Sequence, residues 1–309
     1  MLFLVPLQVL SVRRGTSGLA AAGAIAAIGL AAIRLASLLP APFDPGALAA
    51  AGAEVAAFLL LAAGLAMANL RMGGARGVLR LLAASAAVCL AGAPLVAALS
   101  KVPSVTELVD KAFADASRML QSVFATGDSV EGTVLASLFE PATLKAMIRE
   151  YLLNSFVLTV FALLAFSWWA GSAAGSRAAG PLAAPRWRFA AFRLESWWLW
   201  PLIASLALIL ANLLVGELGA VRGWLSYASY AAWNAALVML FLFGLQGLAI
   251  IRFWLEKRNL ARFVWPLAVA LVLVALATPR LNAVVAIVLP LFGASENWVR
   301  YRSGGAAAA

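Results

Sequence analysis

Residues 224–251 read WLSYASYAAWNAALVMLFLFGLQGLAII and contain no charged side chain. At a rise of about 1.5 Å per residue, a helix of this length exceeds the roughly 30 Å hydrocarbon core of a bilayer. The run ends at a basic cluster of the kind that membrane proteins retain on the cytoplasmic side. The cluster comprises Arg252, Glu256, Lys257, Arg258 and Arg262. We therefore predict a tilted transmembrane helix whose carboxyl end faces the cytoplasm.

The whole chain has the composition of an integral membrane protein. Of its 309 residues, 64% are hydrophobic and only 12% are charged, and the mean hydropathy is +0.97. This apolar fraction lies far above that of a typical soluble domain. The net charge of +10 comes from basic residues in short segments between apolar runs, not from one basic surface. We therefore predict the lipid bilayer as the main partner and no nucleic acid.

The sequence lacks the residue types that several kinds of chemistry need. It has no histidine, which removes the commonest metal ligand and the commonest general base. A phosphate-binding loop of the type Gly-x-x-x-x-Gly-Lys-Ser/Thr does not occur. Cys89 is the single cysteine, so no disulfide can form within the chain. We predict a protein that is not an enzyme, with no catalytic residues, no metal and no cofactor.

Hydropathy along the chain predicts an all-α fold, a polytopic transmembrane helical bundle that forms a single integral membrane domain over residues 1–309. Residues 17–100 hold three predicted spans and residues 151–296 hold five, which gives about eight crossings. The last two are short and form a hairpin around Pro279 and Arg280. The predicted spans are 17–39, 47–70, 81–100, 151–171, 197–216, 224–251, 263–278 and 281–295.

Two segments fall outside the predicted spans. Residues 1–16 form an incomplete N-terminal segment, because an apolar stretch of about ten residues is too short to span and a basic turn at Arg13 and Arg14 follows it. Residues 101–150 are predicted to form extracytoplasmic amphipathic helices, because apolar residues recur from Val105 at steps of three and four. A second outer helix is expected to begin at Pro141.

Basic residues predict which connections face the cytoplasm. They cluster in alternate connections, at residues 13–14, 71–80, 177–193, 252–262 and 300–302. By the positive-inside rule these connections are cytoplasmic, which places both termini inside, including the basic tail at residues 297–309. The Arg-rich inner loops are the predicted docking place for a cytoplasmic protein partner.

Polar side chains within the predicted spans form the candidate intramembrane site. Arg34 lies about 9 Å from the outer end of its helix and Glu54 about 12 Å down the next helix, so the two can pair. A charge at mid-bilayer costs roughly 2.5–3.5 kcal/mol on insertion scales, so these residues are either functional or simply neutralise one another. For Gln246 the ordinary explanation is an interhelical hydrogen bond. The full set is Arg34, Glu54, Asn154, Asn212, Asn234 and Gln246.

Several short motifs carry a family resemblance: residues 192–194, Trp200-Pro201, Asn234, residues 245–250 and the tail at residues 293–302. The tail pattern is Gly293, Glu296, Trp298 and Arg302, with Glu296 in place of a more usual Asp. On these residues the chain resembles the YybS-like family of predicted bacterial membrane proteins. That resemblance implies a multi-pass protein of the bacterial cytoplasmic (inner) membrane and supplies no activity. Members of that family usually have a further apolar helix before the segment matched by residues 5–7, so the resemblance also implies either that this helix is absent or that the start is assigned too far downstream. The run at residues 6–15 is also similar to the second helix of the substrate-binding membrane subunits of energy-coupling-factor vitamin transporters.

Two functional classes remain open. In the first, the bundle is a transporter-like component that binds and takes up a small solute of unknown identity. In the second, it is a membrane scaffold or assembly factor without cargo that recruits cytoplasmic partners. The tail is expected to anchor the last helix through Trp298 while Arg300 and Arg302 meet anionic lipid headgroups, with partner docking as the alternative. A polar pocket in the outer half favours the first class, and a filled core favours the second.

Overall fold

The structure is a computed structural model that describes residues 3–39, 44–70, 77–124, 139–179, 189–215 and 222–302. Within these ranges every regular element is helical, which confirms the predicted all-α class. Two short 3-10 turns, Phe189–Ala191 and Ser196–Trp198, precede the helix that begins at Leu199. The α-helices are α1 (Leu4–Leu38), α2 (Pro45–Asn69), α3 (Gly77–Leu99), α4 (Pro103–Phe124), α5 (Pro141–Ala179), α6 (Leu199–Val215), α7 (Arg222–Lys257), α8 (Ala261–Ala277) and α9 (Leu281–Ser295).

Six helices in the described part of the chain, α1, α2, α3, α5, α6 and α7, are long and apolar enough to cross a membrane. The predicted seventh and eighth spans are α8 and α9, which have 17 and 15 residues. At about 25 and 22 Å they are shorter than the roughly 30 Å hydrocarbon core. The chain is therefore a helical membrane protein with six full-length candidate spans, and the count of eight crossings stays a prediction.

Contacts divide the chain into two compact units, Met1–Ala184 and Pro185–Ala309. The first contains α1 to α5 and the second contains α6 to α9. The single domain over residues 1–309 stays a prediction. Of the predicted outer segment and tail, residues 125–138 and 303–309 lie outside the described residues.

In the first unit, α1 turns sharply at Gly15, whose φ of 73° and ψ of −172° interrupt the helix. A positive φ is costly for residues with a Cβ atom, so glycine suits this position. The turn separates an N-terminal arm, residues 4–14, from residues 16–38. At about 1.5 Å per residue the N-terminal arm is roughly 16 Å long, about half of the hydrocarbon core. The incomplete segment predicted over residues 1–16 is thus a half-length helix.

Contacts with α2 show that the N-terminal arm runs in the same direction as that helix. The ring of Phe3 lies 4.7 Å from the ring of Phe58, and five residues later Gln8 bonds to Asn69. A later residue of the arm thus contacts a later residue of α2. The start of the arm therefore lies beside the middle of α2. The arm also packs closely on α5, because a Cβ atom on Gly171 would lie only 2.8 Å from the Val5 carbonyl oxygen.

The second part of α1 runs opposite to α2. Gly23 approaches Ala62, whereas Arg34, further along α1, pairs with Glu54, which is earlier in α2. Residues 16–38 measure about 34 Å at 1.5 Å per residue, enough to cross the bilayer. The connection predicted at Arg13 and Arg14 is therefore a tight turn inside one helical element.

The predicted outer segment differs from expectation at its second helix. The first amphipathic helix is present as α4, and it exposes the apolar side chains Leu108 and Met119. The second begins at Pro141 as predicted but continues without a break through the fourth predicted span, forming the 39-residue α5. No helix-breaking residue lies between Pro141 and Gly171, so the segment that carries Lys145, Arg149 and Glu150 extends the helix beyond its apolar part.

In the second unit, α7 is the central helix. In its apolar window 61% of the residues are buried, against 17–33% in the other five long helices. Ala232 and Ala236 of α7 form a small cluster with Ile209 of α6. On α8, by contrast, no residue is buried. The uncharged run that identifies the protein class therefore supplies the core of this unit.

We predict that Gly171→Ala destabilises the protein by about 1–3 kcal/mol, because the new methyl group must displace the N-terminal arm at Gln8 and Val5. The matched control is Gly52→Ala, where the added Cβ atom meets nothing within 4 Å. Ala has the higher helix propensity, so this control should be neutral or slightly stabilising. Thermal unfolding in detergent measures both, and equal midpoints for the two variants would contradict the close packing.

Candidate functional site

The first unit contains the ion pair between Arg34 and Glu54. Arg34 Nε lies 2.5 Å from Glu54 Oε2, and the two side chains are 46% and 47% exposed. The pair joins α1 to α2, as expected from the similar depths of the two residues. Pairing lowers the cost of placing two charges at membrane depth. It leaves nearly half of each side chain open to the surroundings of the unit.

Asn154 of α5 belongs to the same unit and has an unused hydrogen-bond acceptor. Its Oδ1 atom is buried and makes no hydrogen bond with any described residue. Buried polar atoms are nearly always bonded, so each exception needs an explanation such as a ligand or an ordered water. Asn154 thus leaves an uncommitted acceptor in the same unit as the Arg34 and Glu54 pair.

A buried amide cluster in the first unit was missed by the sequence analysis. Gln8 is 1% exposed and exchanges two hydrogen bonds with Asn69, of 3.0 and 2.7 Å. Its Nε2 atom also donates to Ser172 Oγ at 3.0 Å. The cluster ties the N-terminal arm to α2 and α5. The only signal in the sequence was a glutamine within an otherwise apolar stretch.

In the second unit, two asparagines of the candidate set form ordinary structural bonds. Asn212 of α6 donates to Ser229 Oγ of α7 at 3.2 Å. Asn234, which is 8% exposed, donates to the Tyr230 carbonyl oxygen one turn earlier in α7. The candidate set therefore divides between the two units, with Arg34, Glu54 and Asn154 in the first and Asn212, Asn234 and Gln246 in the second.

Gln246 belongs to a buried network that we call the Arg302 cluster, formed by Gln246, Glu296, Arg302 and the backbone of residues 190–194. Gln246 is fully buried and donates to Glu296 Oε2 at 2.9 Å, the interhelical hydrogen bond that was expected. Its Oε1 atom accepts from the Leu194 amide at 2.9 Å. Both ends of this amide are therefore satisfied.

The charges of the cluster are a bidentate pair. Glu296 accepts from Arg302 Nε at 2.6 Å and from Arg302 Nη2. The guanidinium also donates to the carbonyl oxygens of Ala190 at 2.6 Å and Phe192 at 2.9 Å. The Glu296 side chain is 2% exposed and the Arg302 side chain is 13% exposed. The expectation that Arg302 meets lipid headgroups is therefore wrong, because its donors are used inside the unit.

Close helix crossing positions this cluster. A Cβ atom on Gly293 of α9 would lie 1.9 Å from the Phe243 carbonyl oxygen and 2.8 Å from the Gly247 nitrogen of α7. Only a residue without a side chain permits such an approach. The crossing places Glu296, three residues after Gly293, beside Gln246. Gly293, Glu296 and Arg302 of the tail thus act together, while Trp298 is 72% exposed and its anchoring role stays a prediction.

We predict that Arg302→Gln destabilises the protein by about 3–5 kcal/mol, because it leaves the buried Glu296 carboxylate without its cation. Glu296→Gln should cost a similar amount, and the double variant less than the sum of the two. The control is the pair of Arg252 and Glu256, whose side chains are 35% and 33% exposed and whose Nε–Oε1 distance is 2.9 Å. Glu256→Gln should cost only about 0.3–0.5 kcal/mol. Unfolding in mixed detergents measures the series, and additive effects at residues 296 and 302 would argue against the cluster.

Comparison with known proteins places the chain in a family. The model of the family described as "Predicted membrane protein (DUF2232)" matches residues 5–289, more than nine-tenths of the chain. The match stops before the tail, so the assignment of residues 293–302 as a family motif stays a prediction. Neither curated proteins nor solved structures gave a match. The chain therefore belongs to the DUF2232 family of predicted membrane proteins.

Proposed function

We propose that this protein is a transporter-like membrane component that binds a small polar solute, with the Arg34 and Glu54 pair as the centre of the site. The observation that supports the proposal is the exposure of the pair, 46% and 47%. Placing charges at membrane depth costs free energy, and this pair is not buried in the core of the unit. A bound polar solute would supply the interactions that lipid cannot give to the exposed half of each side chain. A carboxylate would bind Arg34, and an amine would bind Glu54.

The choice of the first unit follows from how the polar groups are used. In the second unit the polar atoms of Gln246 and the charges of the Arg302 cluster bond to one another and to the backbone. They have little capacity left for a solute. In the first unit the pair is half open and Asn154 Oδ1 is uncommitted. The likeness of residues 6–15 to vitamin-transporter subunits points the same way, and it stays a prediction, as does the YybS-like resemblance.

A scaffold function is the second candidate, and the Arg302 cluster favours it. The cluster fixes residues 190–194 against α7 and α9, which is a suitable base from which to present a loop to a partner. Parts of two Arg-rich inner loops, residues 71–76 and 180–188, lie outside the described residues. On either proposal the protein is not an enzyme, since no acid/base pair is identified and histidine is missing from the sequence.

Location in a bacterial cytoplasmic membrane, with the basic connections inside, is also a proposal. Its support is the alternation of basic connections along the sequence. On this proposal the C-terminal tail lies on the cytoplasmic side. Phe3 packs on Phe58 beside the middle of α2, away from the end of α2 that leads into the basic connection at residues 71–80.

We predict that Glu54→Gln abolishes solute uptake while the protein still accumulates in the membrane. Uptake is measured without assuming a solute, by following depletion of small molecules from the medium by cells with and without the protein. In cells that lack the protein, expression of the wild-type chain should restore depletion of the solute from the medium. Glu54→Gln should not, because it removes the charge that would hold the solute.

The control is the exchanged pair, Arg34→Glu with Glu54→Arg. It keeps an ion pair between α1 and α2, so this variant should also accumulate in the membrane at the wild-type level. The reversed charges are displaced from the positions that the solute requires, so uptake should stay low. Uptake equal to wild type in the exchanged variant, at equal abundance, would show that the pair is only structural.

A further inference from the structure

The corner where α7 meets α8 carries an unusual concentration of unpaired positive charge. Lys257 ends α7, Arg258 follows it, and Arg262 lies in the first turn of α8. All three side chains are exposed, and none has an acidic partner among the described residues. The carboxylate that directly precedes them in sequence, Glu256, is already bonded to Arg252 at 2.9 Å.

The backbone keeps these charges close together. Asn259 adopts a φ of 57°, the left-handed conformation typical of a helix end, and the Leu260 amide donates to the Leu255 carbonyl oxygen at 2.9 Å. α8 then begins directly at Ala261. Like charges held in so tight a corner repel one another, and a bound anion relieves that repulsion.

An apolar surface suited to an acyl chain extends from the same corner. Phe263, Leu267, Leu271 and Val274 are 77%, 69%, 68% and 62% exposed. They recur at steps of three and four, so they share one face of α8. The stripe measures about 16 Å from its first to its last residue. No residue of α8 is buried, so this face belongs to the surroundings of the protein.

We propose that the α7–α8 corner binds an anionic phospholipid, with Lys257, Arg258 and Arg262 around the headgroup phosphate and an acyl chain along the stripe on α8. Charge complementarity selects the headgroup, because three cations without a carboxylate partner favour a headgroup of net negative charge over a zwitterionic one, whose own ammonium group they would repel. The apolar stripe selects a lipid over a free phosphate. The inference is independent of the proposed solute site, which lies in the other unit.

The test uses the purified full-length chain in neutral detergent, titrated with dioleoyl phosphatidylglycerol and analysed by native mass spectrometry. We expect Arg258→Gln with Arg262→Gln to lower the affinity about 25-fold, since each cation near an anionic surface contributes about fivefold. The matched control is Arg13→Gln with Arg14→Gln, which removes two exposed cations from another turn. That variant should retain the wild-type affinity.

Further titrations separate the headgroup from the acyl chain. Dioleoyl phosphatidylcholine should bind far more weakly than phosphatidylglycerol, and glycerol phosphate should bind more weakly still. Equal affinity of the wild-type chain and the Arg258/Arg262 variant for phosphatidylglycerol would overturn the proposal. So would an equal loss in the Arg13/Arg14 control, which would indicate general electrostatics, or tight binding of glycerol phosphate, which would indicate a free-anion site.

Discussion

Hydrocarbon offers no hydrogen bonds, and this constraint accounts for the mutual bonding of buried polar side chains in the Arg302 cluster and around Gln8. Gln246 and Glu296 bond to each other, and Arg302 adds two backbone carbonyl oxygens as further partners. Gln8 and Asn69 exchange amide hydrogen bonds in the same way. The pair of Arg34 and Glu54 differs from these buried groups, because nearly half of each side chain is exposed and only one contact between the two is seen.

Satisfying buried polar groups requires helices to approach more closely than large side chains permit. At the crossing of α7 and α9, Gly293 and Gly247 bring the two backbones together, and Glu296 then reaches Gln246. At Gly171 the N-terminal arm approaches α5, and Gln8 then reaches Ser172. In both units a glycine contact lies within three residues of a polar contact. Close packing of the helices and hydrogen bonding of their buried polar groups therefore depend on each other. Both matter because lipid gives little hydrophobic drive for helix association.

The fold class was predictable because hydropathy is a local property, and the Arg34 and Glu54 pair was predictable by counting residues from the helix ends. The turn at Gly15 was not, since Arg13-Arg14-Gly15 reads as a loop between elements and only its φ of 73° reveals a fold-back. Nor was the continuity of α5 visible, because a change from polar to apolar residues marks the membrane boundary and not the end of a helix. The partners of Arg302 are backbone carbonyl oxygens more than 100 positions away, and carbonyl groups leave no signature in a sequence.

The tail shows why a motif alone does not reveal its role. Basic residues at the end of a membrane protein usually face lipid headgroups, and Arg302 fits that pattern in sequence. In the structure, however, a carboxylate and two carbonyl oxygens surround its guanidinium, whereas Lys257, Arg258 and Arg262 have no such partners. The difference lies in the neighbours. A buried acid six residues away converts Arg302 into a structural group, whereas the one acid at the α7–α8 corner, Glu256, is already paired with Arg252.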